Sequence, residues 1–327
     1  MSVGLDVGTM NLVAARQGDG GEIGTKRVRD AFLDLPASSK KLLKLSGADF
    51  VERDDQLLIV GDAAMEMAVM FNREARRPLQ KGLVSSQDLD SLEIVAYMIK
   101  SILGEPKKAG ECCYYSIPAS PIDNADRDVI YHKRLFERIL TDAGYTPISG
   151  NEAMAIIYSQ TASENFSGLA LSFGSGMTNI ALSNLSIECL SFSLEHGGDW
   201  IDQGAARSIG ATASAMCAAK EEGFDLLSPK NRVEEALSFY YKELVEYVLD
   251  NVAREFQSRN LSMSIRKPLP IIISGGTSLA GNFVEFFAEV FDKKADKFPF
   301  EVSEIRHADD PLNAVAIGLL IQAMQEE

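Results

Sequence analysis

GLDVGTMNLVAA, residues 4 to 15, and ALSFGSGMTNIALS, residues 170 to 183, decide the fold. Each is an apolar strand, a glycine turn and a second apolar strand. Asp6 stands opposite Ser172 and Gly8 opposite Gly174, while Asn11 or its neighbours fall near Thr178 and Asn179. A supersecondary unit repeated half a chain apart predicts two related lobes.

Outward from these hairpins the chain alternates strands and helices, an α/β pattern. Leu89, Leu92, Val95, Met98, Ile99 and Ile102 recur at helical spacing and predict a helix over 89–103, closed by Gly104. Further helices are expected over 124–143, 198–219, 231–257, 278–292 and 311–325. CCYYSIP, residues 112 to 118, reads as a strand, and LPIIIS, residues 269 to 274, as a strand buried on both faces. The irregular stretch from Lys40 to Asp62 marks a small inserted subdomain, about 32–75 with its flanks. The expected first lobe is 1–148 with 309–327. The second is 149–308, carrying its own small subdomain at about 205–265.

Composition narrows the function classes. The 327 residues are 46% hydrophobic, enough to bury a large core, and the net charge is −15. Such an acidic chain lacks the basic footprint of a general nucleic-acid binder. Four cysteines without a CxxC pair and only three histidines argue against structural zinc. Cys112 and Cys113 read as small core residues of a strand. The chain opens directly into a strand pattern without a basic leader, and no apolar run approaches the roughly 20 residues that span a bilayer. A reducing, cytoplasmic setting is expected.

Three glycine turns carry the chemistry. In GLDVGT, Gly8 lets the backbone turn tightly and approach a ligand, and the N–H groups of the turn can face a phosphate. Thr9 and Asn11 add donors, and Asp6 is placed to hold Mg²⁺ through water. In SFGSGMTN, Gly174, Ser175, Gly176 and Thr178 offer a second cradle. In IIISGGTSLAGNF, residues 271 to 283, a buried strand ends at Ser274 and Gly275-Gly276-Thr277 leads into a helix. That turn suits a nucleotide base or ribose, and the helix N-terminus favours phosphate. Taken alone, each of these turns could also be an ordinary structural turn.

The ordered set resembles the actin, heat-shock chaperone and sugar-kinase ATPase superfamily, in which the hairpins are the two phosphate motifs and the third turn is the adenosine motif. Within it the bacterial actins of the MreB group are most similar. GDAA (61–64), RPLQKG (77–82), IPASPIDNADRDVI (117–130), NEAMAI (151–156), GGDWID (197–202) and DDPLNAVAIG (309–318) resemble segments of that group in the same order. The resemblance implies a two-lobed actin-like ATPase fold, each lobe a mixed five-stranded sheet flanked by helices, with ATP or ADP and Mg²⁺ in the cleft between lobes. It also implies a homopolymer filament with slow ATP hydrolysis. Open head-to-tail contacts between identical subunits produce filaments.

Site residues follow from the same resemblance. The family places a water-orienting glutamate or glutamine at the start of the helix after the first connector, where Asp126 and Asp123 stand here. Both could instead be solvated charges favoured at a helix N-terminus. Glu152 either orders metal waters or caps its helix. Gly198 belongs to the GGDWID segment. Glu221, with Lys220 and Glu222, is a candidate acceptor for a ribose hydroxyl or simply a solvated helix end. His196 reads as structural.

Two positions depart from the family pattern. Ser172 replaces the aspartate that usually opens the second phosphate motif, and Met177 replaces a threonine. A serine supplies no carboxylate to metal-bound water, which bears on hydrolysis more than on binding. A non-hydrolysing nucleotide-binding scaffold therefore stays open, as does a small-molecule kinase of the same superfamily. A chaperone-type member would continue into a peptide-binding domain, whereas this sequence ends at Glu327. No amphipathic helix precedes Val3, so a direct membrane anchor is not expected, while protein adaptors are compatible with the reading.

Overall fold

The computed structural model describes residues 2–53, 56–71, 73, 75–84, 91–124, 129–259 and 267–326. It contains two mixed five-stranded sheets. In the first, Ile23–Arg29, Asn11–Gln17 and Ser2–Val7 run antiparallel in that order, followed by Cys112–Ile117 and Thr146–Asn151 in parallel. In the second, Ile187–Leu194, Thr178–Asn184 and Gly168–Phe173 are antiparallel, followed by Leu269–Ser274 and Val302–His307 in parallel. The two sheets share one topology, and each expected hairpin opens its own sheet. All six residues of Gly168–Phe173 and of Leu269–Ser274 are buried, because helices cover both faces of that part of the sheet.

The sheets are joined through a pair of helices, Glu152–Gln160 and Ala314–Gln325, whose apolar faces form a shared cluster with residues of both sheets. The approach is close enough to require glycine. A Cβ on Gly318 would lie 1.8 Å from the Ala155 carbonyl oxygen, and one on Gly4 would lie 2.1 Å from the Ala316 carbonyl oxygen. The connector between lobes also pairs with the second sheet. Ser193 N–H donates to Ser120 O, Ile122 N–H donates to Ser193 O, and the Ser193 hydroxyl donates to Ala119 O at 2.6 Å.

Phe32–Pro36, Gln56–Val60 and Phe50–Arg53 form a separate antiparallel sheet with the helices Lys40–Ser46 and Asp62–Met70. Leu33, Leu35, Leu43, Leu57, Ile59 and Met67 give it its own core. In the first sheet, the strand Thr146–Asn151 extends past residue 148 before the next helix begins.

Several helix boundaries differ from the periodicity reading. The helix expected over 198–219 is two, Gly198–Ile209 and Ala213–Glu222. Gly210 closes the first in the left-handed region (φ 72°), and the Thr212 side chain caps the second by accepting from Ala215 N–H. The helix expected over 278–292 begins as a 3-10 turn, Gly276–Leu279, and the α-helix is Phe283–Asp292. Arg232–Ser258 and Ala314–Gln325 start one and three residues later than periodicity suggests, and the described parts of the helices expected over 89–103 and 124–143 are Ser91–Leu103 and Val129–Asp142. None of the four cysteines is in a disulfide, and Cys113 is buried in its strand. Among the described residues no helix is long and apolar enough to cross a membrane.

Candidate functional site

The two hairpin turns are built alike. Gly8 N–H donates to Asn11 O at 3.1 Å, and Gly174 N–H donates to Met177 O at 2.9 Å. A Cβ on Gly8 or Gly174 would sit 2.8 or 2.9 Å from that same carbonyl oxygen, so neither turn tolerates a side chain. The strand registers pair Asp6 with Val13 and Ser172 with Asn179. This shifts the sequence alignment of the repeat: Asn11 corresponds to Met177, and Asn179 corresponds to Val13.

Both turns line one cavity of about 520 Å³, together with Gly275, Gly276 and Thr277 and with Pro311 and Leu312 ahead of the helix Ala314–Gln325. Gly275 sits at φ 92°, and a Cβ there would strike the backbone of Phe173 at 2.4 Å. The Thr277 hydroxyl donates to Gly174 O at 2.8 Å, which ties the third turn to the second hairpin. The far wall is apolar, with Leu279, Ala280, Pro311, Leu312 and Val315.

At the mouth of the strands, Asp6 and Glu152 face the cavity. The Ser116 hydroxyl donates to Asp6 at 2.9 Å, while Ser172 and Asn179 donate to the two oxygens of Glu152 at 2.8 and 2.9 Å. Burial pushes both carboxyls above the usual range, and the charge of Asp6 raises Glu152 further. Ser172 therefore holds a carboxylate in place rather than supplying one. Among the described residues no group of three or more His, Cys, Asp or Glu is placed to hold a metal ion. Two buried carboxylates beside a phosphate-sized turn nevertheless fit Mg²⁺, which takes one or two carboxylates and completes its shell with water and phosphate. The cavity is also lined by Ser175, whose buried hydroxyl has no hydrogen-bond partner among the described residues.

Asp6, Gly8, Thr9, Asn11, Glu152, Gly174, Ser175, Glu221, Gly275, Gly276 and Thr277 all line this cavity. Gly176, Thr178 and Gly198 do not. Gly176 packs where a Cβ would lie 2.6 Å from the Thr9 hydroxyl, so it lets the two hairpins touch. The Thr178 hydroxyl donates to His196 O at 2.7 Å, and Gly198 N–H donates to Gly174 O at 2.9 Å. All three shape the second hairpin from behind. Asp123 is also outside the cavity: it accepts from Glu195 N–H and from the Tyr247 hydroxyl, and pairs with His196 Nδ1 at 3.2 Å. Burial pushes Asp123 up, but the hydrogen bonds from His196, Glu195 and Tyr247 outweigh it and hold the carboxyl below its usual range. Asp123 is thus not brought together with the other candidate catalytic residue described, Glu152, which lines the cavity. Asp126 lies outside the described residues.

Residues not singled out in the sequence also enter the site. Arg27 and Arg29 reach it from the edge strand, and Asp62, Cys217 and Tyr241 from other elements. Ion pairs between the lobes include Arg29 with Glu221, Arg77 with Asp199 at 2.8 Å, and Lys81 with Glu195 at 3.2 Å. The 79–84 hairpin bridges the two glycine turns, with Gly82 N–H donating to the Thr9 hydroxyl at 2.9 Å. Met177 fills the space opposite Gly82, where a Cβ would meet its sulfur at 2.1 Å.

Two lobes of one topology, joined by a helix pair and each contributing a glycine hairpin to a shared cleft, define the actin-like ATPase fold. Solved structures agree. The MamK double helical filament matches with a TM-score of 0.69 at 18% identity, covering 99% of this chain and 98% of that one. MreB5 of Spiroplasma citri bound to AMPPNP matches with a TM-score of 0.66 at 16% identity, covering 99% and 96%. The ethanolamine utilization protein EutJ from Carboxydothermus hydrogenoformans matches with a TM-score of 0.58 at 15% identity, covering 98% and 89%. No curated protein matches the sequence. The family model for Volactin matches residues 1–323, and the chain belongs to the Volactin family.

Proposed function

We propose that this protein binds ATP with Mg²⁺ in the interlobe cleft and polymerises head to tail into cytoplasmic filaments, hydrolysing ATP slowly. The observation that supports it best is the pair of matching glycine turns facing one cavity, with Asp6 and Glu152 beside them. Gly8, Thr9, Asn11, Gly174 and Ser175 hold the phosphates, and the Gly275-Gly276-Thr277 turn holds the nucleoside. Asp6 and Glu152 hold the Mg²⁺ waters, and the metal neutralises phosphate charge. Nucleotide contacts to both hairpins bias the angle between lobes. The solved filament of MamK and the AMPPNP complex of MreB5 show what proteins of this fold can do.

One observation favours a second reading. Ser172 gives its hydroxyl to Glu152 and leaves the metal side with one hairpin carboxylate, Asp6. This is the arrangement expected of a scaffold that binds nucleotide and hydrolyses it hardly at all. Pelleting and electron microscopy with ATP, ADP and no nucleotide, with phosphate release measured alongside, separate the readings. ATP-dependent filaments with slow release are expected. Monomers in every nucleotide state would refute polymerisation, and filaments without phosphate release would select the scaffold.

A further inference from the structure

Arg29 has no role in the reading above, yet it occupies the cleft. It ends the edge strand Ile23–Arg29 directly opposite Asn11, so both side chains stand on the cavity face of the first sheet. From there its guanidinium crosses to Glu221, on the helix Ala213–Glu222 of the other lobe. Its Nε–H is buried and has no acceptor among the described residues. An orphaned N–H beside a ligand-sized cavity is a costly arrangement that an arriving oxygen relieves.

We propose that Arg29 and Glu221 form a ribose-reading latch. A ribose hydroxyl of the bound nucleotide donates its O–H to Glu221 and accepts from the Arg29 Nε–H, tying one lobe to the other. This rests on the nucleotide reading of the cavity. Glu221 is 51% exposed, and an ion pair open to water holds two lobes together only weakly. Ribose satisfies the orphaned donor and excludes water from the pair, so nucleotide affinity and lobe closure strengthen each other reciprocally. Arg29 thereby couples the identity of the sugar to the shape of the protein.

The test compares ATP with 2′,3′-dideoxy-ATP on the full chain, by calorimetry and small-angle scattering. Wild type is expected to bind ATP at least about tenfold more tightly than the analogue, as for a hydrogen bond to a charged group. ATP should reduce the radius of gyration and the analogue should not. Arg29→Lys keeps the charge but has no Nε–H in that position, and should lose both the discrimination and the compaction while still binding ATP. Arg29→Ala should behave the same way, and the lysine variant carries the test if the alanine variant does not fold. Equal affinity and compaction with the two nucleotides in wild type, or full discrimination in Arg29→Lys, would overturn the latch alone. Failure of wild type to bind either nucleotide would overturn the nucleotide reading together with it.

Discussion

Replacing Ser172 by aspartate tests the metal side of the cleft without relying on turnover. Ser172 is 2% exposed and its hydroxyl lies 2.8 Å from Glu152 Oε1. An aspartate there sets a new carboxylate about 4 Å from one already buried, where like charges repel by about 4 kcal/mol at an effective dielectric of ~20. The lost hydrogen bond adds about 1 kcal/mol. Burial already raises Glu152 to about 8, so near pH 8 it relieves most of that repulsion by holding a proton, and the nucleotide-free variant should melt only a few degrees below wild type, with the deficit growing as the pH rises. Lowering the pH should shrink the deficit, because taking up a proton on one carboxyl relieves the repulsion. Adding Mg²⁺ and ATP should shrink it too, since the same charges then attract the cation, and the stabilisation by Mg²⁺ should exceed that of wild type. Scanning calorimetry across pH and Mg²⁺ concentration reads all of this. A variant that melts like wild type and responds to Mg²⁺ no more strongly would refute the placement of these carboxylates on a metal.

Other outcomes follow from geometry already described. A Cβ on Gly276 meets only Leu312 at 3.4 Å, so Gly276→Val should fold but fill the nucleoside space, abolishing most of a thermal shift that corresponds to about 2.7 kcal/mol at a hundredfold excess of ATP over Kd; an undiminished shift would refute the adenosine assignment. His132 is buried against Phe136, and burial lowers its pKa from 6.5 to about 4. The unfolded chain therefore binds the extra proton first, and stability should fall by about 2 kcal/mol between pH 7.5 and 5, a loss that His132→Phe removes from the urea-denaturation profile; parallel profiles would exclude His132 as the cause. Gly318→Ala should cost about 3 kcal/mol or more in the same assay, because its new methyl would overlap the Ala155 carbonyl oxygen; a loss below about 1 kcal/mol would show that the helix pair yields easily.

The hairpins were legible because a glycine between apolar runs leaves few alternatives, and finding it twice identified the lobes. Ser172 was legible as a departure, but its partner Glu152 was not, since twenty residues separate them in sequence and only the fold brings them together. The break at Gly210 was hidden because alanines flank it on both sides and keep the helical pattern apparently continuous. Arg27 and Arg29, in IGTKRVR, belong to no motif that the sequence singles out. Their register opposite Val13 and Asn11 is a tertiary fact, and it turns that face inward to the cavity. Asp123 stood at the right distance along the chain from the first connector, but its surroundings come from 195–196 and 247, which sequence proximity does not reveal.

The connector that pairs with Ser193 has a consequence for solubility. A bare outer strand is a template on which another chain can add its own backbone, and such growth is hard to reverse. Here residues 119–122 pair with Ser193 near the end of Ile187–Leu194, so that end of the outer strand of the second sheet is already taken by its own molecule. At the corresponding rim of the first sheet, Lys26, Arg27 and Arg29 place cations along Ile23–Arg29, and charge on an outer strand deters pairing. Association between copies is thereby steered away from these two rims and toward side-chain surfaces, whose contacts come apart subunit by subunit. Fibres of the amyloid kind, which do not dissolve when a ligand leaves, are discouraged by the same few residues that join the lobes.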